Sequence, residues 1–583
     1  MIPGLFLDEE AFVLGDIPLG GDVEEYERFV RRNHIADTWI LQLEYRERGV
    51  ADETDAEMDI LGDINLGFMP PGGVNSPPLQ EELFSSNLWV ARPDEPGPRN
   101  RSAYCRLTEP LSVTVTAPIT PDTANRSLQV NANSILKNDQ GELDWLASGT
   151  TIDGLNATIR NGRRRGYWND FAIRFRGLGQ AARGGSGEVR IDYDLSTKAA
   201  RTAVTSSVYD GRGGFGGDPQ LAGVVRDLAL GEPFNISPRL VSIPHQVYQF
   251  STGRSQAVTG VYEAMIPLIP TQDYPDFNSL IEADIPPGHY ATCLAHSAFR
   301  LSAVPVGTIT CSVRGFVTPA GNYLSTVSQW INYMLLSRLG LALSEIDNGA
   351  IGFLPPYACG WHTGGDVVTV QQLFDDICAS VNGFHGINRF GRYTVKRVFA
   401  PETYVSAPPL RIPGLTLQEE QLDEFVRSEQ AVLVRQNWTI LSQDQVSDLA
   451  PADLAARAQQ EGETYTAPNG RAVAEYPTSE PGAVIRSVFT TQAGAQVGTD
   501  VIDLLGIERD TFRGEVSRMT GLDVGDPVFI EADRYGVGGR IMIVREIIER
   551  ARDRKTQLKL FGAAVPAERD RLLSRADPMA LAA

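Results

Sequence analysis

Four residues within 27 positions carry the side chains that hold soft metals: Cys359 and His362, spaced Cys-x-x-His, with Cys378 and His385 further on. Zinc takes thiolate and imidazole ligands of this kind. The spacing is not that of a finger or a ribbon, however, and Cys378 falls beside the apolar face of an expected helix, where a buried thiol is common. Zinc is therefore weighed and not predicted, and the metal question stays open. Cys293 and Cys311, on either side of a strand expected near Pro305, read as core thiols. Gly211, Gly213 and Gly216 match the dinucleotide fingerprint G-x-G-x-x-G, with Glu232 about where an acidic ribose ligand would stand. That chemistry needs a parallel β-α-β unit in which the last glycine opens a helix. Here Gly217-Asp218-Pro219 follows at once, the neighbouring strands read as antiparallel, and Glu232 sits in a Gly-Glu-Pro turn. A flexible loop accounts for the run better.

Six histidines are present, His34, His245, His289, His296, His362 and His385. None stands in a nucleophile elbow or an H-E-x-x-H helix. Carboxylates are too plentiful to single out a general acid/base pair. No catalytic residue and no cofactor are predicted. Arg163, Arg164 and Arg165, followed by Tyr167 and Trp168 and then by Arg174 and Arg176, form the one cluster that could grip phosphates or stack on bases. The competing account is a β-hairpin whose arginines meet acidic surface on a neighbouring subunit or on the N-terminal segment, and the acidity of the rest of the chain favours it.

The elements that must position these residues belong to a chain of 583 residues, too long for one ordinary core. Its net charge is −21, and residues 1–100 hold 21 acidic against 7 basic residues. Such a surface repels phosphate and excludes tight duplex binding through a basic face, though not DNA as passing cargo. No run approaches the ~20 apolar residues of a membrane helix; Tyr333–Leu343 is interrupted by Ser337, Arg338 and Gly340. The N-terminus MIPGLFLDEE lacks the basic region of a signal peptide. Five scattered cysteines argue against a disulfide framework and for synthesis in a reducing cytoplasm.

Patterning divides the chain into an acidic N-terminal arm and linker (1–105), a β domain (106–200), a β-rich domain with the Gly211–Gly217 loop (201–320), an α+β module (321–405), a C-terminal β domain (406–564) and a tail (565–583). The arm is expected to hold a short helix over Glu24–Ile40, with Tyr26, Phe29 and Val30 on one side, and a Pro/Gly-rich linker over Met69–Gln80. Period-two runs predict strands in SVTVTAPI, SLQVNANSIL and ELDWL around a KNDQG turn, and at Phe171–Arg176, Gly187–Tyr193, Arg201–Tyr209 and GTITCSVRG. Leu324, Val327, Ile331 and Leu335, with Trp330 and Met334 beside them, predict a helix over Leu324–Leu343. Thr369-x-x-Gln372 reads as the capping box of a second helix with Val370, Phe374, Ile377 and Val381 on its apolar face, followed by a hairpin in NGFHGINRFGRYTVKRV. Beyond it come a strand at Ala431–Ile440, a polar helix around Asp448–Gln460, and a loop to about Glu480. Strands at Asp526–Glu531, Arg540–Glu546 and Thr556–Phe561 complete the block, with a Gly-Val-Gly-Gly turn between the first two and a charged helix or frayed tail after them. The fold class is mainly β with α+β insertions, multidomain.

The ordered segments LQVNANSILKNDQGELDWL, IDGLNATIRNG, VYDGRGGFGGDPQLAGVVRDLALGEPFNISPRLVS, VYEAMIPLIPTQDY, GHYATCLAHSAFRLSAVPVGTITCSVRG, NRFGRYTVKRV, VRQNWT and GLDVGDPVFIEADRYGVGGRIMIV span roughly residues 105–562. Their order resembles the siphophage tail-tip (baseplate) hub protein family, related to the hubs of long-tailed phages and gene transfer agents. The resemblance implies a structural protein of the virion whose two β domains are tube-like barrels or sandwiches. It implies a homotrimeric ring that adapts a six-fold tail tube to a three-fold tip and lines the DNA channel used in genome ejection. Implied partners are a distal tail protein ring, tail-tip or fibre proteins, the tape-measure protein, double-stranded DNA as passing cargo, and the host outer surface. Some related hubs hold an iron–sulfur cluster on four cysteines; this chain lacks the close cysteine spacing, and a cluster is not predicted. Two other classes were weighed. A tail fibre or receptor-binding protein would show repeats or trimeric coiled coil, and Glu461–Pro481 and residues 1–105 are where receptor contacts would be sought. A tip-borne cell-wall hydrolase would need a recognisable acid/base or Cys/His set. The ends, 1–105 and 565–583, are expected to be ordered by neighbouring proteins.

Overall fold

The computed structural model describes residues 37–47, 78–93, 97–119, 126–163, 166–185, 187–194, 197–406, 410–413, 416–419, 430–436, 439–460, 462–468, 484–489, 497, 499–500, 503–504, 509–517, 522–531, 540–551 and 555–564. His34, Arg164, Arg165, the Gly536–Gly539 turn, most of the Met69–Gln80 linker and the 565–583 tail lie outside them.

The chain is mainly β, with short helices inserted between sheets. Alternation drives the strands. In Leu107–Thr116, Leu111, Val113 and Val115 are buried while Ser112, Thr114 and Thr116 are half-buried, the period of two that a pleated strand with one core face requires. Gln129–Lys137 turns Ala132, Ser134 and Leu136 inward, and Glu188–Asp194 does the same with Val189, Ile191 and Tyr193.

These strands belong to a 15-stranded sheet. Its path runs from Thr416–Glu419 through Arg509–Ser517, Lys555–Ala564 and Arg540–Arg550 to Leu107–Thr116. It continues through Gln129–Lys137, Glu188–Asp194, Ala172–Gly185 and Asn156–Arg163 to Asp37–Glu47, Gln80–Ser85 and Tyr104–Cys105. The join between its two halves is antiparallel: Glu546 to Arg550 face Thr116 back to Ser112, residue for residue. Strands from residues 106–200 and 406–564 thus share one sheet, while Gln430–Gln436, Gly462–Pro468 and Val484–Ser487 form a three-stranded sheet of their own.

Residues from the expected arm also join this sheet. Asp37–Glu47 pairs with Asn156–Arg163 and Gln80–Ser85, burying Trp39, Leu41, Leu43 and Tyr45 in the main core. Residues 37–40 therefore open a strand rather than close a helix, and residues 24–36 of that expectation lie outside the described part. The apolar alternation of DTWILQLEY was overshadowed by the acidity around it.

Between the two halves of the sheet, residues 239–317 build a five-stranded and a three-stranded sheet over two smaller cores, and Ala229–Gly231 pairs with Gly360–His362. The α+β module follows. Its first helix is α-helical only over Val327–Tyr333, widens into a π-turn at Met334–Arg338, and ends as Gly340 turns left-handed at φ 63°. The second helix, Val370–Val381, starts as its sequence predicts: the Gln372 N–H donates to Thr369 Oγ1 at 3.2 Å, and the Thr369 N–H donates to Gln372 Oε1 at 2.8 Å. Thr369→Ala is expected to cost about 1 kcal/mol, read as a lower unfolding midpoint, with Thr369→Ser close to unchanged. The hairpin pairs Gly383–Ile387 with Tyr393–Arg397.

Three local expectations fail for identifiable reasons. ELDWL forms a short helix, Asp144–Ser148, because Asn138 organises the turn: its Oδ1 accepts from the Leu143 N–H and its Nδ2 donates to Asp144. Arg201–Tyr209 is no strand; helix Thr197–Arg201 leads into single bridges, Ala203 to Thr369 and Val208 to Val225. The stretch Glu461–Pro481, read as a loop, contributes strand Gly462–Pro468 paired with Gln430–Gln436, and its residues 469–481 lie outside the described part.

Candidate functional site

All four candidate metal ligands are buried, and they do not gather into a ligand group. Cys359 donates its thiol to the Ser325 carbonyl at 3.2 Å, and Cys378 lies inside the apolar face of Val370–Val381. His362 accepts from the Gly364 N–H on Nδ1 at 3.1 Å, so its proton sits on Nε2, which donates to the Phe250 carbonyl at 3.2 Å. Among the described residues no three His, Cys, Asp or Glu side chains are grouped to hold a metal ion. The donor set for an iron–sulfur cluster does not fit either. Cys105 is exposed, Cys293 and Cys311 belong to two different small cores, and Cys359 and Cys378 belong to the main one. Burial pushes the Cys293 thiol up to about 11 and raises those of Cys311 and Cys378 further, which suits core thiols. The stretch around Pro305 between them is a loop.

His362 makes a pH prediction. Burial, opposed by Asp227 and the Phe250 carbonyl and aided by Arg239, holds its imidazole below the ordinary 6.5. The folded pKa lies under the unfolded one, so the contribution to stability is fully present above 6.5 and is lost as the pH falls through that value towards the folded pKa. The unfolding midpoint is expected to drop on acidification from about pH 7 to about pH 5. His362→Gln should flatten that slope.

His385 was missed as an organiser. Its Nε2 lies 2.9 Å from Asp375 Oδ1 and its Nδ1 3.0 Å from the Tyr393 hydroxyl, and Asp375 also accepts from the Arg126 N–H at 2.8 Å. One ring nitrogen faces the carboxylate and the other the phenol, so both have a hydrogen-bond partner. His385 and Tyr393 are both buried, and burial raises the Tyr393 pKa well above its ordinary value, so the arrangement supports packing rather than turnover. Of the other histidines, His296 stacks on Phe215 at 4.4 Å and His289 contacts the Pro287 carbonyl.

The glycine-rich run opens no α-helix. Gly214–Gly216 is a single 3-10 turn, tied by Gly211 N–H to Gly216 O and Gly213 N–H to Gly217 O, and Pro219–Leu221 is another. Glu232 is paired with Arg314 at 2.9 Å. The described members of the arginine cluster, Arg163, Arg174 and Arg176, lie on the hairpin of Asn156–Arg163 and Ala172–Gly185, near which Arg160 covers the Trp168 ring and Arg92 covers Tyr167. Trp168 packs against Trp89 in a small core rather than standing free for a base.

The densest polar chemistry sits where the hairpin meets both halves of the sheet. Asn388 builds the hairpin turn, its Oδ1 accepting from the N–H groups of Phe390 and Arg392. The turn presents Arg389, whose guanidinium donates to Glu549 at 2.6 Å and to the Leu522 carbonyl at 2.7 Å; both charged side chains are 3% exposed. The Arg389 carbonyl accepts from the Arg176 N–H at 3.0 Å on the N-terminal half. Glu549 itself stands opposite Val113 on one side and Thr556 on the other. Arg389 therefore bolts together three stretches of chain.

Two further ion pairs act alike. Lys396 reaches Asp526 at 3.2 Å and Asp523 at 3.6 Å; burial alone would lower its pKa, but the two carboxylates outweigh burial and raise it. Arg509 grips Glu402 with both ends of its fork at 2.8 and 2.9 Å and donates to the carbonyls of Leu504, Asp503 and Gly562. One signal could have found this site: NRFGRYTVKR places Arg389, Arg392, Lys396 and Arg397 within nine residues of a chain whose net charge is −21.

Fold and site together define a multidomain, mainly β chain whose described polar chemistry is spent on locking its modules together. No protein-family model and no curated protein matches the sequence. Among solved structures it is similar to the tail protein from Neisseria meningitidis, at 10% identity over 80% of this chain and 94% of that one, with a TM-score of 0.31. The 43 kDa tail protein of prophage MuSo2 from Shewanella oneidensis is similar at 9% identity over 79% and 95%, TM-score 0.28. Prophage tail protein gp18 from Listeria monocytogenes follows at 6% identity over 82% and 96%, TM-score 0.27. At these scores none of the three assigns a role to a residue of this chain.

Proposed function

We propose that this chain is a structural hub subunit of the tail tip, or baseplate, of a siphophage virion. In this reading it is synthesised in the host cytoplasm and is not an enzyme. It assembles as a homotrimeric ring that joins the tail tube to the tip and lines the channel through which double-stranded DNA passes. Its neighbours are a distal tail ring, tip or fibre proteins, and the tape-measure protein, with the host outer surface beyond. The observation that carries the reading is the single sheet: the N-terminal and C-terminal β blocks lie side by side through the Glu546–Arg550 join. A subunit that offers two tube-like units to a ring needs that arrangement, and three such subunits offer six. The net charge of −21 suits a lumen to which DNA does not adhere.

Solution mass and electron microscopy test this directly. The expected particle has three copies of the 63.6 kDa chain, three-fold symmetry and a hole of about 20 Å, on its own or after addition of the distal ring protein. A closed dimer, or hydrolysis of peptidoglycan by the purified chain, would overturn the reading. Duplex DNA should pass a column of the immobilised protein unretained even at about 50 mM salt.

A further inference from the structure

An open cleft of about 490 Å³ lies where the N-terminal part of the sheet meets the α+β module. That volume is within the roughly 300–1,000 Å³ of small-molecule sites. Gln129 and Asn131 enter it from the Gln129–Lys137 strand, Gln180 from Ala172–Gly185 and Asp194 from the end of Glu188–Asp194. Ser127 and Gln371, whose amide nitrogen lies 3.4 Å from the Ser127 hydroxyl, also line it. Gln129, Asn131 and Gln180 are exposed. The walls come from different modules yet are stitched together: Leu128 N–H donates to the His385 carbonyl at 2.7 Å, and His385 N–H to the Arg126 carbonyl at 3.0 Å. His385 and Tyr393, joined to Asp375 in one hydrogen-bonded chain, line the cleft as well.

The lining narrows the ligand by chemistry. Among the described lining residues there is no lysine or arginine to pair with a phosphate or other anion. One carboxylate, Asp194, is far short of the oxygen cage that calcium requires. Val130, Ile387, Tyr193 and Tyr393 line it beside these polar groups, a mixture of apolar and hydrogen-bonding surface such as a sugar itself presents. The lining fits an uncharged molecule rich in hydroxyls. Side-chain amides both donate and accept, as paired sugar hydroxyls do, and a carboxylate can accept from two neighbouring hydroxyls. We propose that this cleft binds a carbohydrate, a hexose or N-acetylhexosamine unit. The proposal goes beyond the structural role and does not depend on the ring.

The test is calorimetric titration of the full chain with glucose, galactose and N-acetylglucosamine. At least one of them is expected to bind saturably at millimolar concentration. Asn131→Ala combined with Gln180→Ala should weaken that binding by about tenfold or more, because two side-chain hydrogen bonds are lost at exposed positions that do not hold the fold. Lys137→Ala, at the far end of the same strand, should leave it unchanged. Absence of saturable binding by all three sugars, or equal binding to the doubly substituted chain, would overturn the proposal. The solution mass measured on the same samples keeps this outcome separate from the fate of the ring.

Discussion

Replacing Arg389 with alanine is expected to destabilise the protein by about 3–5 kcal/mol, the cost of breaking a buried ion pair by removing one partner. The substitution takes the guanidinium away from Glu549 and from the Leu522 carbonyl, both closed off from water. A carboxylate left in that setting has lost its compensating charge while keeping the whole desolvation penalty. The comparison that isolates the cause is the double substitution Arg389→Met with Glu549→Leu. Apolar groups of similar volume make a buried pair dispensable, so the double variant should recover most of the loss in a denaturant-unfolding midpoint. Equal midpoints for Arg389→Ala and the unmodified chain would show that the hairpin is not what fastens the two halves of the sheet. Limited proteolysis adds a second readout, since loosening the bolt should expose the Glu546–Arg550 join before the five-stranded sheet of residues 239–301.

Gly315→Val is expected to be at least as damaging, by more than about 3 kcal/mol, with loss of soluble protein. Ile309–Val317 crosses Ala229–Gly231 so closely that a β-carbon on Gly315 would stand 2.1 Å from the Ala229 carbonyl oxygen. The same contact zone admits no side chain at Gly231, where a β-carbon would lie 1.9 Å from the Cys359 carbonyl oxygen, or at Gly360, 2.4 Å from that of Glu232. Backbone atoms occupy all three positions, so nothing flexible can give way. Gly352 is the contrast: a β-carbon there meets nothing within 4 Å, its φ is not positive, and it closes a helix. Gly352→Ala should therefore be neutral or slightly stabilising. If Gly315→Val melted together with the unmodified chain, Ile309–Val317 would not be packed on Ala229–Gly231 as described.

By itself the sequence determined what depends on a few neighbouring residues. Period-two alternation in SVTVT and SLQVNANSIL, the Thr369–Gln372 capping box and the polar turn of NRFGRY each encode a local conformation, and each element formed. The mainly β class and the acidity of the chain follow from the same local and additive properties. Where a side chain could satisfy the backbone differently, as Asn138 does beside ELDWL, alternation alone misled.

Only the tertiary structure decided partners far apart along the chain. Arg389 and Glu549 are 160 residues apart, and as letters they are two ordinary surface charges. Burial turns them into a pair, and burial depends on which strands meet. That Cys359, His362, Cys378 and His385 form no ligand group was likewise settled by packing, since their spacing would have allowed convergence. So was the cleft of Gln129, Asn131, Gln180 and Asp194, which three strands and a helix bring together. Local periodicity fixes which face of a strand is apolar but not which neighbour covers it. That choice is made by the free energy of the whole core, to which no short window of sequence has access.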